Sequence, residues 1–143
     1  MELVKDGVLT TWLAESAAAR QLGISPTGHA IRGVSGSPGA GPPNLHIAAG
    51  KRSREDMIAG INQGVLVTEL IGQGVNGVTG DYSRGAAGFL IANGEIGPAV
   101  AEITIASNLK QMFATLVPAS DLPFRPGVDS PALQVPEMVI ASP

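Results

Sequence analysis

Cysteine is absent from the chain. That removes disulfides, thiolate zinc sites and a cysteine nucleophile together, and it makes a reducing cytoplasm the simplest home. Histidine is nearly as scarce: His29 lies in Thr27-Gly28-His29-Ala30, His46 in an alternating run, and no H-E-x-x-H or comparable pair stands at helical spacing. An intrinsic metal site is not expected from so few ligands. The aromatic residues are Trp12, Tyr82, Phe89, Phe113 and Phe124, too scattered for a base-stacking platform. Lys51, Arg52 and Arg54 make the only basic cluster in a chain of net charge -3, which argues against a nucleic-acid partner. No run approaches the roughly 18 apolar residues of a membrane span, and the start, Met1 to Gly7, lacks the apolar core of a signal peptide.

What is present is small and apolar. The 143 residues are 44% hydrophobic and 15% charged, with 19 glycines and 11 prolines, whereas ordinary domains carry roughly 25% charged residues. Such a chain folds rather than staying disordered, and its length suits one domain spanning residues 1–143. A surface this poor in charge points to a partner that covers part of it, although small side chains alone also give a bland surface.

The residue pattern predicts an α+β, predominantly β fold, with antiparallel sheets in a sandwich or barrel-like arrangement, eight or so strands and about three short helices. Lys5-Asp6-Gly7 is expected to turn a hairpin between Leu3-Val4 and Val8-Leu9. Leu13 to Leu22 is rich in alanine and followed by Gly23, a helix with its C-cap. Gly33 to Pro43 reads as a loop, and Asn44 to Ala49 alternates like a strand. Ser53 can cap a second helix ending near Gly64. Val65 to Ile71 looks like a central strand, and Asn93-Gly94 is the strongest hairpin signal. Ala101 to Ala106 places Ile103 and Ile105 on one face. Ser107 is expected to cap a helix reaching Thr115, with Leu109, Met112, Phe113 and Leu116 in one stripe. The proline-spaced remainder allows short or edge strands near Ala132–Val135 and Met138–Ala141.

Gly72-Gln73-Gly74-Val75-Asn76-Gly77 spells the dinucleotide fingerprint, but Val78-Thr79-Gly80-Asp81 follows it with turn and strand chemistry where a helix is required. Asp81-Tyr82-Ser83-Arg84 is the most polar cluster, yet it does not match G-x-S-x-G. There Asp81 is expected to shape a turn, and Arg84 to pair with Asp81 or Glu69. No catalytic and no metal-ligating residue is assigned.

The run Val67-Thr68-Glu69-Leu70-Ile71-Gly72-Gln73-Gly74-Val75-Asn76, continued by Thr79-Gly80-Asp81-Tyr82-Ser83-Arg84-Gly85-Ala86, resembles the TldD/PmbA family. Asp6-Gly7, Ala19-Arg20-Gln21-Leu22-Gly23, Ser25-Pro26-Thr27-Gly28-His29-Ala30, Asn93-Gly94-Glu95-Ile96 and Glu102-Ile103-Thr104-Ile105-Ala106-Ser107-Asn108 agree in order. Nearly the whole chain is similar to the C-terminal domain of the PmbA branch, also called TldE and named a modulator of DNA gyrase. The N-terminal part lies outside it. The resemblance implies a subunit of a bacterial cytosolic peptidase in which a TldD-like subunit supplies zinc through an upstream H-E-x-x-x-H helix and a C-terminal cysteine. This chain has no cysteine, which favours the PmbA branch. It is therefore expected to bind no cofactor and to be non-catalytic itself, zinc belonging only to the partner.

Peptide substrates, matured as antibiotics or turned over as antitoxins, follow from the same resemblance. Gly72, Gly74, Asn76, Gly80, Asp81, Ser83 and Arg84 are the candidate interface or peptide-contact residues, with shaping of the fold as their other role. A self-associating β binding module without a peptidase partner is the alternative. An independent hydrolase or oxidoreductase is a third class.

Overall fold

The computed structural model describes residues 1–142. In chain order the elements are β1 (Val4–Lys5), β2 (Val8–Leu9), α1 (Ser16–Leu22), β3 (Ala30–Ile31), β4 (Gly39–Ala40), β5 (Asn44–His46), α2 (Arg54–Ala59) and β6 (Gln63–Ile71). There follow β7 (Asp81–Ala92), β8 (Glu95–Asn108), α3 (Leu109–Thr115), β9 (Val117–Pro118), β10 (Gly127–Asp129), β11 (Leu133–Gln134) and β12 (Val139–Ala141). They form two compact units, the first of Met1–His46 with Phe124–Asp129, the second of Ile47–Pro123 with the segment from Ser130 onward.

The second unit is built on an open, four-stranded antiparallel sheet in the order β12-β8-β7-β6. Its spine is the long β7–β8 hairpin, closed by Asn93 at φ 50° and Gly94 at φ 82°. These left-handed angles suit a two-residue turn whose twist matches the strands. Glycine is needed at 94 on a second count, because a Cβ there would lie 2.6 Å from the Ala59 carbonyl oxygen. Ala86, Ile103 and Ile105 are buried on one face, with Val65, Val67, Tyr82, Val100 and Met138 packed against them. Full burial of an isoleucine side chain stabilises by about 1.5–3 kcal/mol, so this apolar cluster is the main source of order in the unit. Directly opposed residues share a face. The register Ile71↔Gly85↔Thr104↔Ala141, with Ser83↔Ala106↔Val139 beside it, therefore sets the other face. That face mixes small, apolar and polar side chains, Ser83 and Thr104 among them, and Ile71 and Val139 remain 54% and 67% exposed on it.

Val65–Ile71 is an edge strand rather than a central one, hydrogen-bonded to β7 on one side only. The register slips between Val67 and Glu69, leaving Thr68 in a bulge, the usual irregularity of an edge. Around the sheet, α2 is capped by Ser53, whose hydroxyl accepts from the Asp56 amide at 3.0 Å. It stops at Gly60, one turn short of the expected end. α3 is capped by Asn108 rather than Ser107, and none of its residues is buried; Phe113 is 67% exposed. The short β9–β11 pair was not foreseen, whereas β11 and β12 lie where short strands were expected.

The first unit is held mainly by local hydrogen bonds. Asp6 (φ 50°) and Gly7 (φ 76°) turn the β1–β2 hairpin as predicted. α1 starts later than expected, because the Glu15 carboxylate accepts from the Ala17 and Ala18 amides and so acts as the N-cap. Those bonds pull the Glu15 pKa below its ordinary value of 4.5, with Arg20 adding a smaller favourable charge. Gly23 at φ 67° closes the other end, donating to the carbonyls of Ala19 and Arg20. Within the expected loop Gly33–Pro43, Gly39–Ala40 pairs antiparallel with Ala30–Ile31. β5 is shorter than its alternating pattern and pairs in parallel with β10.

Candidate functional site

Gly72, at φ 78°, turns the chain out of β6. Residues 73–80 then fold back on the start of β7. The Ser83 amide donates to the Gly74 carbonyl at 2.7 Å, Asn76 to the Asp81 carbonyl at 2.9 Å, and Val75 bridges Tyr82 between them. A Cβ on Gly74 would collide with the Ser83 carbonyl, so this close approach requires glycine. At the tip, the Asn76 Oδ1 accepts from the amides of Val78 and Thr79, at 2.9 and 3.2 Å. The Gly80 amide closes the turn on the Asn76 carbonyl at 2.8 Å. The Thr79 hydroxyl donates to the Asp81 carboxylate at 2.7 Å. Asp81 thus shapes the turn, as its sequence context implied.

Asn108 fastens this loop from the far end of β8. Its Nδ2 donates to the Thr79 carbonyl at 3.1 Å while its Oδ1 accepts from the Lys110 amide at 3.1 Å. Gly80 is buried against the same side chain, and a Cβ there would sit 3.0 Å from its Oδ1. Asn108 is the residue that sequence reasoning missed. The available signal was that asparagine is itself a strong N-cap, one position after the serine chosen.

Six of the seven candidates, Gly72, Gly74, Asn76, Gly80, Asp81 and Ser83, lie along this one folded loop. Arg84 does not join them. It projects from the sheet face opposite to Ser83, where its Nη2 donates to the Leu70 carbonyl at 3.3 Å and its buried Nε has no partner. The expected pairing with Asp81 or Glu69 is not formed: the ion pairs among the described residues are Lys5–Glu2 and Arg54–Glu55. Sheet geometry gives the reason. Asp81 alternates with Ser83, and Glu69 is opposed to Ala87, so both carboxylates leave from the face Arg84 does not occupy. The glycine motif is followed by the turn and β7, not by a helix, so it lacks the helix N-terminus that a dinucleotide pyrophosphate needs.

Of the histidines, His29 is tied to the Thr27 hydroxyl through Nδ1 at 3.0 Å. His46 sits on β5, with Phe124 edge-on at a centroid distance of 5.5 Å and an interplanar angle of 70°. Beside them, within the first unit, is an open cavity of about 270 Å³ lined by Leu45, His46, Phe124, Arg125 and Asp129 among others. Phe124 holds φ 56° although it is 72% exposed. A bulky side chain in the left-handed region costs about 1–3 kcal/mol and persists where its surroundings impose it.

The family model for the PmbA/TldA metallopeptidase C-terminal domain matches residues 1–142. The chain belongs to the PmbA/TldD family. It is 46% identical over 141 residues to the metalloprotease PmbA of Escherichia coli, covering 98% of this chain and 29% of that protein. A PmbA homologue from Haemophilus influenzae is 40% identical, with 98% and 30% covered. The chain thus spans less than a third of these relatives' length. Among solved structures, it is similar to a Thermotoga maritima protein named as a candidate modulator of a DNA gyrase. The TM-score is 0.85 at 31% identity, covering 97% of this chain and 32% of that one. TldE from Thermococcus kodakarensis matches with TM-score 0.83 at 27% identity, covering 99% and 33%. The α+β, predominantly β class is the fold these relatives share.

A metallopeptidase family raises the question of a metal. Among the described residues no three of histidine, cysteine, aspartate and glutamate come together as a ligand set. These residues do not fit a zinc ion, which takes three or four converging nitrogen, sulfur or oxygen ligands. No helix of the described residues is long and apolar enough to cross a membrane.

Proposed function

We propose that this chain is the C-terminal domain, residues 1–143, of a PmbA/TldE-type subunit that pairs in the cytoplasm with a zinc-bearing TldD-like subunit. Peptides such as antibiotic precursors or antitoxins are cut in the assembly. This chain contributes walls and assembly contacts, while zinc and the bond-breaking step belong to the partner. The observation that carries the reading is the 46% identity to the metalloprotease PmbA across 98% of the chain. A further feature supports it: the sheet face bearing Ile71, Gly85, Ala106 and Val139 is open, and Ile71 and Val139 stand exposed on it. The loop carrying Gly72, Gly74, Asn76, Gly80, Asp81 and Ser83 borders that face and serves as its contact edge. Arg84 supports it from behind.

Co-purification of the full-length protein with a TldD-like subunit tests this reading. A stable complex that cuts peptides only when both chains are present is expected; a full-length protein that never binds such a chain overturns it. The free edge of β6 favours a second reading, self-association by strand addition without a peptidase partner. Light scattering on the purified chain alone distinguishes it, because self-association requires a concentration-dependent dimer.

A further inference from the structure

The cavity beside β5 and β10 combines apolar walls with two opposite charges that do not neutralise one another. Leu45, Phe124 and Pro126 supply the walls, and His46, Arg125 and Asp129 stand around them. Arg125 and Asp129 are close in sequence and line the same space, so an ion pair is the simple expectation. Instead, the Asp129 carboxylate accepts from the Arg125 backbone amide at 2.7 Å, and the guanidinium makes no ion pair among the described residues. The local backbone is built to keep this arrangement. The Gly127 amide donates to the Asn44 Oδ1 at 2.8 Å, and the parallel register sets Asp129 opposite His46. Phe124 keeps its left-handed backbone one residue before Arg125, with its ring edge-on to His46.

We infer that this cavity binds one apolar α-amino acid in zwitterionic form: its carboxylate on the Arg125 guanidinium, its ammonium on the Asp129 carboxylate, its side chain against Leu45 and Phe124. A planar guanidinium matches a carboxylate with two parallel hydrogen bonds. An aspartate with one oxygen engaged by an amide keeps acceptor capacity on the other. At about 270 Å³ the space lies just below the range of roughly 300–1,000 Å³ usual for drug-sized ligands, which suits a single residue. The inference does not depend on pairing with a TldD-like subunit. The cavity lies within one unit of this chain.

The test is a titration of the 143-residue chain with L-phenylalanine, N-acetyl-L-phenylalanine and L-phenylalaninamide, followed by NMR at the His46 and Phe124 rings and by calorimetry. A ligand of this size reaches about millimolar affinity. Saturable shifts at those two rings are expected with L-phenylalanine, and binding about tenfold weaker when either end is blocked. Arg125→Gln is expected to remove the preference over the amide and leave the preference over the acetylated form. Asp129→Asn, which keeps an oxygen for the Arg125 amide, is expected to do the reverse. Equal binding of all three probes, no saturable shift, shifts away from the two rings, or variants that leave the preferences unchanged would each overturn the inference. Unchanged amide spectra away from the cavity show that the variants fold.

Discussion

The second unit buries Met57, Ala86, Ile91, Ile103, Ile105 and Ala119; the first buries only Ala14 and Ala19, and leaves Trp12, Ile31, Val34 and Val128 in the open. Burial of apolar surface is the dominant force in folding, and two alanines supply very little of it. The second unit therefore carries its own source of order. The first relies on hairpin turns, helix caps and strand pairs, each of which is separately weak. Order that comes from packing resists local change, and order that comes from turns and caps can be lost piece by piece.

The comparison breaks if the two units respond alike to the same insult. Ile103→Ala removes the centre of the sheet's cluster and is expected to cost about 2–5 kcal/mol, read as a lowered urea midpoint of the far-ultraviolet strand signal. In the unaltered chain, Trp12 fluorescence is expected to change at lower urea than that signal; coincident transitions would show one cooperative body. Gly74→Ala drives a methyl group into the Ser83 backbone and is expected to cost about 1–3 kcal/mol. Hydrogen exchange at the Ser83 amide should accelerate while the β7–β8 hairpin near Asn93 stays protected.

Acid provides a finer contrast. The folded pKa of Glu15 is lowered by the Ala17 and Ala18 amides, so its cap contributes fully above the ordinary glutamate value of 4.5. That contribution fades as pH falls through the depressed folded value. Amide protection in α1 should be lost over that window, and Glu15→Gln should flatten the response. The smallest effect belongs to Trp12→Ser, within about 0.5 kcal/mol on the isolated chain because the ring is already exposed. A larger loss by urea titration would mean that the first unit packs more tightly than its exposed side chains imply.

Features encoded by neighbouring residues were legible before any coordinates. Asp6-Gly7, Gly23, Ser53 and Asn93-Gly94 each do what their chemistry dictates, because a turn or a cap is settled within a few residues. What depends on distant partners was not. The apolar run Val65–Ile71 reports a tendency to be buried but cannot report how many neighbours a strand has, so it was misread as central. The stripe on α3 is real in sequence, and Leu109, Met112 and Leu116 are half-buried along it, yet Phe113 stays 67% exposed. The β5–β10 pairing joins residues that are adjacent only after folding. For the candidate site, the glycine-rich run announced a loop, and Gly72, Gly74, Asn76 and Gly80 lie on one. Arg84 was misjudged because strand alternation and the bulge at Thr68, not sequence distance, decide which charges meet.

The open edge of β6 has a consequence beyond function. Its nine residues present unpaired amides and carbonyls along one side, a template on which another chain can grow as a strand. The bulge at Thr68 and the charge of Glu69 interrupt that template near its middle. Replacing Glu69 with an apolar residue should therefore turn a soluble preparation into one that forms fibrils on standing, with the second unit's sheet still folded inside them.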